Sequence, residues 1–322
     1  MNAERLIRDA VELRLAAIAS HACYTRRPET QKALLKGYRA NYKQALNKGT
    51  IQTFYSGSQL LGVLFSGPSR LEQTGQRLTK LTLDFRLGSP EALKWTKKAL
   101  KEARARSPKS EINLMLMAPY RALIPSVSKN DMHVENLILV GDTKVSLASL
   151  RKKYGKLEQS DFSINPIRSE RQIRDSLSIL KREFERNPQF GWFVADPRYI
   201  NKERKMLRLE AKRRRPNYFV MESGGKTLGY FGVEFNPKNA VWGKVGGYTF
   251  CFSEAIQGKG LLKYAYSVLL KRLEELGADT YIGGTSQPSV LKLSRLMKRK
   301  PFAYIIRNGP GYFPSSYFSR FE

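Results

Sequence analysis

Phe252-Ser253-Glu254-Ala255-Ile256-Gln257-Gly258-Lys259-Gly260-Leu261-Leu262 is the stretch whose reading decides the fold. It joins an alternating, aromatic run (KVGGYTFCFSE, ending at Glu254) to a segment of helical periodicity that closes on Gly277. A glycine-containing turn that enters a helix leaves several backbone N–H groups unpaired and facing one way. The helix dipole adds to their partial positive charge, and together they form an anion site. Gly258 and Gly260 let a pyrophosphate approach the backbone where a Cβ would obstruct it, and Lys259 supplies a cation. Taken alone, the stretch is either a phosphate cradle or a Gly-rich strand-to-helix turn.

Working outward from it, DTYIGGTS reads as a strand, QPSVLKLSRLMKRK as a helix and FAYIIRNG as a closing strand. Upstream, DFSINPIR reads as a strand, followed by a helix with Ile173, Leu177, Leu180 and Phe184 on one face. A second helix, PRYINKERKMLRLEAKRR, places Met206, Leu209 and Leu207 inward, and a hairpin turns at Ser223-Gly224-Gly225. The first half runs in a similar order. Two helices precede a hairpin at Ser56-Gly57-Ser58, then the strand RLTKLTLDFRL, a helix opened by Ser89-Pro90-Glu91, and the strand EINLMLM. Ser56-Gly57-x-x-x-Leu61-Gly62 aligns with Ser223-Gly224-x-x-x-Leu228-Gly229 at an offset of 167, which points to a duplication. Residues 149–161 (SLRKKYGKLEQSD) are polar and weakly patterned and mark the expected boundary between domains at 1–155 and 160–322.

The order strand, Gln-Gly-x-Gly loop, helix, strand, helix, strand resembles the GNAT superfamily of acyl-CoA N-acyltransferases. The family's loop pattern, Gln/Arg-x-x-Gly-x-Gly/Ala, is met from Gln257 through Leu261, with Leu262 departing at the final small position. Gln287-Pro288 stands where the family has Asn-Pro, and Ser294 where it has a Tyr. The first half has the order of elements without the loop, because Leu87-Gly88-Ser89-Pro90 does not supply it; it resembles the degenerate half of tandem members. The resemblance implies an α/β (α+β) fold of two GNAT-like domains in tandem, each a mixed, mostly antiparallel sheet flanked by helices. It also implies acetyl-CoA or another acyl-CoA as cofactor. The pyrophosphate would lie on Gly258, Lys259, Gly260, Leu261 and Leu262, with Gln257 and Gln287 nearby, and the pantetheine along Phe250–Phe252. An acceptor amine would attack the thioester directly, with strand amides holding the oxyanion and a Tyr protonating the leaving thiolate.

For acid and base work the candidates are Glu254, just past the strand, and Tyr248, four residues before Phe252 and on its face. Glu254 also reads as a charge facing the helix dipole, and Tyr248 as strand packing. Ser294 is a poor substitute for a phenol, and Tyr304 and Tyr312 are further phenols in the closing segment. Cys251 reads as a small buried hydrophobe.

Charge is the strongest compositional signal, with 57 Lys and Arg against 28 Asp and Glu, a formal +29. Such an excess repels itself in the compact state and fits an anionic partner such as RNA or tRNA, an acidic carrier protein or a phosphate-rich cofactor. Lys212, Arg213, Arg214 and Arg215 form the densest run and are the candidate polyanion-binding residues. The aromatic segment Gly311–Phe318 either stacks on bases or packs on the first half. Tandem, basic acyltransferase-like chains also include aminoacyl-tRNA-dependent peptidyltransferases, a reading that the intact Gln257–Gly260 opposes. Two histidines (His21, His133) and two distant cysteines (Cys23, Cys251) assemble no metal site by spacing. The N-terminus has no signal-peptide pattern, and no run reaches the roughly 18 apolar residues of a membrane span. The expectation is a cytoplasmic, metal-free acyl-CoA-dependent N-acyltransferase. The alternative is an inactive or tRNA-dependent tandem protein that binds RNA or another polyanion.

Overall fold

Two hairpins correspond residue for residue. Strands β1 (Ile51–Ser56) and β2 (Gln59–Arg70) turn at Gly57, φ 56°, while β7 (Tyr218–Ser223) and β8 (Lys226–Asn239) turn at Gly224, φ 53°. Ser56 pairs with Gln59 and Ser223 with Lys226; Phe54 pairs with Gly62 and Met221 with Gly229. Each ladder slips once, between Phe54 and Tyr55 in one and between Met221 and Glu222 in the other. The offset is again 167 (221 − 54). A turn does not require a bulge at that place, so the shared slip is independent support for duplication.

This structure, a computed structural model, describes residues 2–21, 23–24, 27–70, 77–108, 111–155, 162–186, 197–285 and 288–308. The chain divides into two compact units. One holds residues up to Ile138, Ala240–Trp242 and the strand beginning at Pro301; the other holds Leu139–Asn239 and Gly243–Lys300. Relative to a boundary at residues 155–160, three segments change sides: Leu139–Gly155 falls in the second unit, and Ala240–Trp242 and the strand beginning at Pro301 fall in the first.

The first unit opens with α1 (Ala3–Ala19), capped by the Asn2 side chain, and α2 (Pro28–Leu46). They bury Leu6, Ile7, Ala10, Val11 and Tyr38 against Leu60, Val63 and Phe65 of β2. Strand β3 (Arg77–Phe85) pairs antiparallel with β2; α3 (Pro90–Arg106), capped by Ser89, leads to β4 (Ile112–Met117), parallel to β3. The short α4 (Ile124–Ser128) then precedes β5 (Met132–Asp142). The closing strand β11 (Lys300–Asn308) pairs antiparallel with β4, Ala303 opposite Met117, and so belongs here. Beneath the helices lies a buried polar knot. Arg14 Nε sits 2.7 Å from Asp84 Oδ1, Arg14 Nη2 donates to the Leu83 carbonyl, and Tyr38 and Tyr120 both donate to the Asp84 carboxylate.

The second unit begins with α5 (Thr143–Tyr154), capped by Asp142, which buries Leu147 and Leu150 in the core around Leu269, Leu270 and Leu273. Its inward face also carries Thr143 and Ser146, two polar residues, and the segment therefore looked unpatterned in sequence. Then follow β6 (Ser163–Pro166), α6 (Glu170–Arg186), α7 (Pro197–Ala211), the β7–β8 hairpin and β9 (Gly243–Phe252). The last elements are α8 (Leu262–Glu275), β10 (Thr280–Thr285) and α9 (Pro288–Leu296). Strands β6 to β9 are antiparallel neighbours and β10 joins β9 in parallel. Helices α6 and α7 pack on one face through Ile173, Leu177, Leu180 and Leu207, and α8 packs on the other.

Helix α7 stops at Ala211, so Lys212–Arg215 lie beyond it as exposed irregular chain. Arg168 ends it by donating to the carbonyls of Ala211, Arg213 and Arg214. Its inward residues are Glu203, Met206, Leu207 and Glu210, spaced i, i+3, i+4, i+7; Leu209, expected inside, is 59% exposed on the opposite side.

Candidate functional site

Among the described residues, strands β9 and β10 pair near their starts. Thr280 lies opposite Val245 and Tyr281 opposite Gly246. From Gly247 to Phe252, β9 keeps its register with β8 alone among the described residues. Its other edge therefore presents backbone donors and acceptors to a gap between parallel strands. The side chains of β9 alternate about this gap. Tyr248, Phe250 and Phe252 pack in sequence on the α8 face, the first pair tilted at 5.0 Å and the second stacked at 6.0 Å between centroids, while Cys251 points to the α6–α7 face and packs with Tyr230.

The Gly loop lies at the end of β9. Gly258 and Gly260 have φ of 78° and 71°, values that favour glycine, and a Cβ at either would meet no protein atom within 4 Å. The N–H groups of Gly258, Gly260, Leu261 and Leu262 find no protein acceptor among the described residues. The cradle is therefore open, positive and backbone-lined, and it fits a phosphate chemically. Lys259 is exposed beside it. Gln257 turns away; its amide donates to Glu183 Oε2 and to the Phe252 carbonyl and braces the loop. Glu254 is exposed and ion-paired with Arg186, while its N–H donates to Glu183 Oε1. Glu183 thus fixes the loop from α6 through two donors, a role with no signal in sequence. Gln287 and the 311–318 segment, with Tyr312, lie outside the described residues.

Tyr248 is part of a network centred on Arg299. The Arg299 guanidinium, 6% exposed, donates through Nη1 to the oxygens of Tyr248 (2.5 Å), Tyr266 (3.3 Å) and Ser294 (3.1 Å). Through Nη2 it donates to the carbonyls of Leu139 and Gly283, so it ties the end of β5 to β10. Tyr266 also donates to the Tyr248 oxygen, at 3.0 Å. Ser294, expected to stand where a tyrosine acid would, is buried and spends its oxygen on Arg299. Tyr304 lies on β11, in the first unit. The Tyr248 ring lies against Gly283, where a methyl group would sit 2.3 Å from its Cζ. Gly283→Ala should displace the ring from Arg299 and cost about 1–3 kcal/mol, read by urea unfolding. An unchanged midpoint would show that the ring contact is not what holds the network.

On the α6–α7 face, Tyr218, Tyr230 and Glu234 gather near Glu203. The Tyr218 hydroxyl lies 3.5 Å from Glu234 Oε1. Burial, and then the Glu234 charge, push the Glu203 carboxyl above its ordinary range. Burial likewise holds the Cys251 thiol protonated, in keeping with a packing role rather than a nucleophile. On the outer side of α7, Asn201, Arg204, Lys205, Arg208, Leu209 and Lys212 line an open groove of about 390 Å³. Arg208 is already paired with Glu170, and Arg213 with Glu210. Among the described residues no group of three or more His, Cys, Asp or Glu side chains can hold a metal ion, and no helix is long and apolar enough to cross a membrane.

No protein-family model matches the chain, and no curated protein matches it. Among solved structures it is similar to an acetyltransferase of the GNAT family from Colwellia psychrerythraea, at 12% identity over 88% of this chain and 97% of that one, TM-score 0.45. It is also similar to a tandem GNAT protein from the clavulanic acid biosynthesis pathway, at 12% identity over 97% and 98% of the two chains, TM-score 0.44. A third is the GCN5-related glucosamine N-acetyltransferase region of a fungal multi-domain β-N-acetylglucosaminidase, at 12% identity over 78% of this chain and TM-score 0.43; the match spans 32% of that protein.

Proposed function

We propose that the second unit is an acyl-CoA-dependent N-acyltransferase. The observation that carries the reading is the parting of β9 from β10 after Gly246, directly before an open, positive-φ glycine cradle at the start of α8. Acyl-CoA, when bound, supplies an activated thioester. Gly258, Gly260, Leu261 and Leu262 hold its pyrophosphate through backbone N–H groups, and the free edge of β9 from Gly247 to Phe252 orients the pantetheine amides. Tyr248 is the proton donor of this reading. Its oxygen already accepts from Arg299 and Tyr266, so its own proton remains for a third group. Glu254, exposed and paired with Arg186, is better placed to brace the loop than to act as a base. Titration of the intact protein with acetyl-CoA tests the reading directly. Saturable binding supports it, and no binding at millimolar acetyl-CoA ends it.

A second reading, polyanion binding, has its own observation in the basic groove on α7 and the exposed Lys212–Arg215 beyond it. Changing Lys212, Arg213, Arg214 and Arg215 to Gln should flatten the log–log salt dependence of RNA binding by up to about 3–4 units, at roughly 0.7–0.9 per phosphate contact. Acetyl-CoA affinity at moderate salt should change little. A filter-binding series on tRNA and random RNA, with equal slopes for both proteins, would remove this reading.

A further inference from the structure

Arg299 is a full charge buried among neutral groups. Among the described residues its hydrogen-bond partners are the hydroxyls of Tyr248, Tyr266 and Ser294 and the carbonyls of Leu139 and Gly283. Its Nε is buried as well and finds no acceptor there. The rings of Tyr248 and Tyr281 lie against the guanidinium, with centroids 5.1 and 5.0 Å from its carbon. A guanidinium cannot shed its proton. A charge held this deeply without an acid is costly unless an anion meets it at some stage of the protein's work.

One member of this network reaches outward. Tyr266, Tyr281 and Ser294 are buried, whereas Tyr248 is half-buried. Tyr281 pairs with Gly246, and two residues on, Gly283 and Tyr248 are the first positions of the same face past the parting of β10 from β9. The Tyr248 ring lies over Gly283 there, at the head of the gap. Its oxygen accepts from Arg299 Nη1 and from Tyr266, a phenol that burial pushes well above its ordinary range and keeps protonated. With both lone pairs engaged, its own O–H is left over, and no described residue accepts it. The head of the gap therefore holds an unclaimed phenolic proton with an unmatched cation directly behind it.

We infer that Arg299 acts through Tyr248 as a positioning residue: it fixes the phenol at the head of the gap and supplies the charge that an anionic sulfur there requires. The inference rests on the acyltransferase reading. As the acyl carbon passes from sulfur to the amine nitrogen, the C–S bond pair goes to sulfur and the Tyr248 proton follows it. The phenolate left between Arg299 and Tyr266 then regains the proton that the nitrogen sheds on becoming an amide. Protons and charge balance with no further reactant. The same cation favours the free coenzyme's sulfur as thiolate, held by the Tyr248 O–H. The titratable groups facing Tyr248 are Arg299, Tyr266 on α8 and Tyr281 on β10, and Asp142, the N-cap of α5, acts on Tyr281.

The test is calorimetry on the intact protein with coenzyme A and desulfo-coenzyme A, which lacks the sulfur, over about pH 6.5–8.5. Coenzyme A should give up its thiol proton on binding, so its advantage over the desulfo compound should grow by up to about tenfold per pH unit. Arg299→Gln and Tyr248→Phe should abolish that growth while still binding the desulfo compound. Arg299→Lys keeps the charge without the planar fork that joins Leu139 to Gly283, so it should melt lower yet retain part of the growth. A merely structural arginine would make Lys behave like Gln, and that result overturns the inference. Where Arg299→Gln fails to fold, Tyr248→Phe decides, since it leaves the ring and the cation in place. Binding of both compounds at a pH-independent ratio overturns this inference alone. Binding of neither overturns the acyltransferase reading, and this inference with it.

Discussion

Arg14→Met is expected to lower the unfolding free energy by about 3–5 kcal/mol, the cost of stranding a buried charge whose partner has been removed. Asp84 is fully buried, and its carboxylate is held by Arg14, Tyr38 and Tyr120. Burial raises its pKa to about 7, against the opposing pull of Arg14. The unfolded value is near 3.9, so the folded protein binds this proton more tightly than the unfolded chain does. The stability linked to Asp84 protonation is therefore full below about pH 4 and is lost as pH rises through about 7. Removing Arg14 takes away a group that favours the ionised form and widens that window upward. The variant should thus be hurt least near pH 4–5 and most near pH 8. Urea melts at the two pH values check this. A loss under about 1 kcal/mol, or one equal at both, would show that the knot does not hold the first unit together.

Gly260→Asp should weaken acetyl-CoA binding roughly 100-fold. Gly260 has a φ of 71° with open space over its Cα, so the protein itself offers no clash to an added side chain. The loss comes from two sources. A left-handed conformation costs a Cβ-bearing residue about 1–2 kcal/mol, and a carboxylate enters the volume reserved for phosphate. Each 1.4 kcal/mol is tenfold in affinity. Gly260→Ala, with the strain but no charge, should lose about tenfold. Calorimetry showing equal affinity in wild type and Gly260→Asp would place any cofactor site elsewhere.

The strands and helices around the loop were legible because each obeys a local rule. Ser89 caps α3 through a hydrogen bond to the Ala92 N–H, and Gly57 and Gly224 take the positive φ that their turns demand. The glycine cradle was legible for the same reason, since φ of 78° and 71° is a property of the residues themselves. Helix α5 was not legible, because its buried stripe includes Thr143 and Ser146, and Ser146 is satisfied by the Met297 carbonyl, 151 residues away. The inward choice of Leu207 over Leu209 on α7 was also hidden. The 3.6-residue period admits either until Glu210 is committed to Arg213 and the Asn217 N–H.

The sequence by itself determined the two Ser-Gly hairpins, most of the helices and strands around them and the glycine turn before α8, all of which follow from backbone preferences acting over a few residues. Tertiary structure decided the rest. Strand β11 joins β4, β9 leaves β10 after Gly246, and Arg299 gathers Tyr248, Tyr266 and Ser294. These pairings join residues far apart in the chain. Their energies depend on burial and on completed hydrogen bonds, neither of which exists until the chain has closed around them.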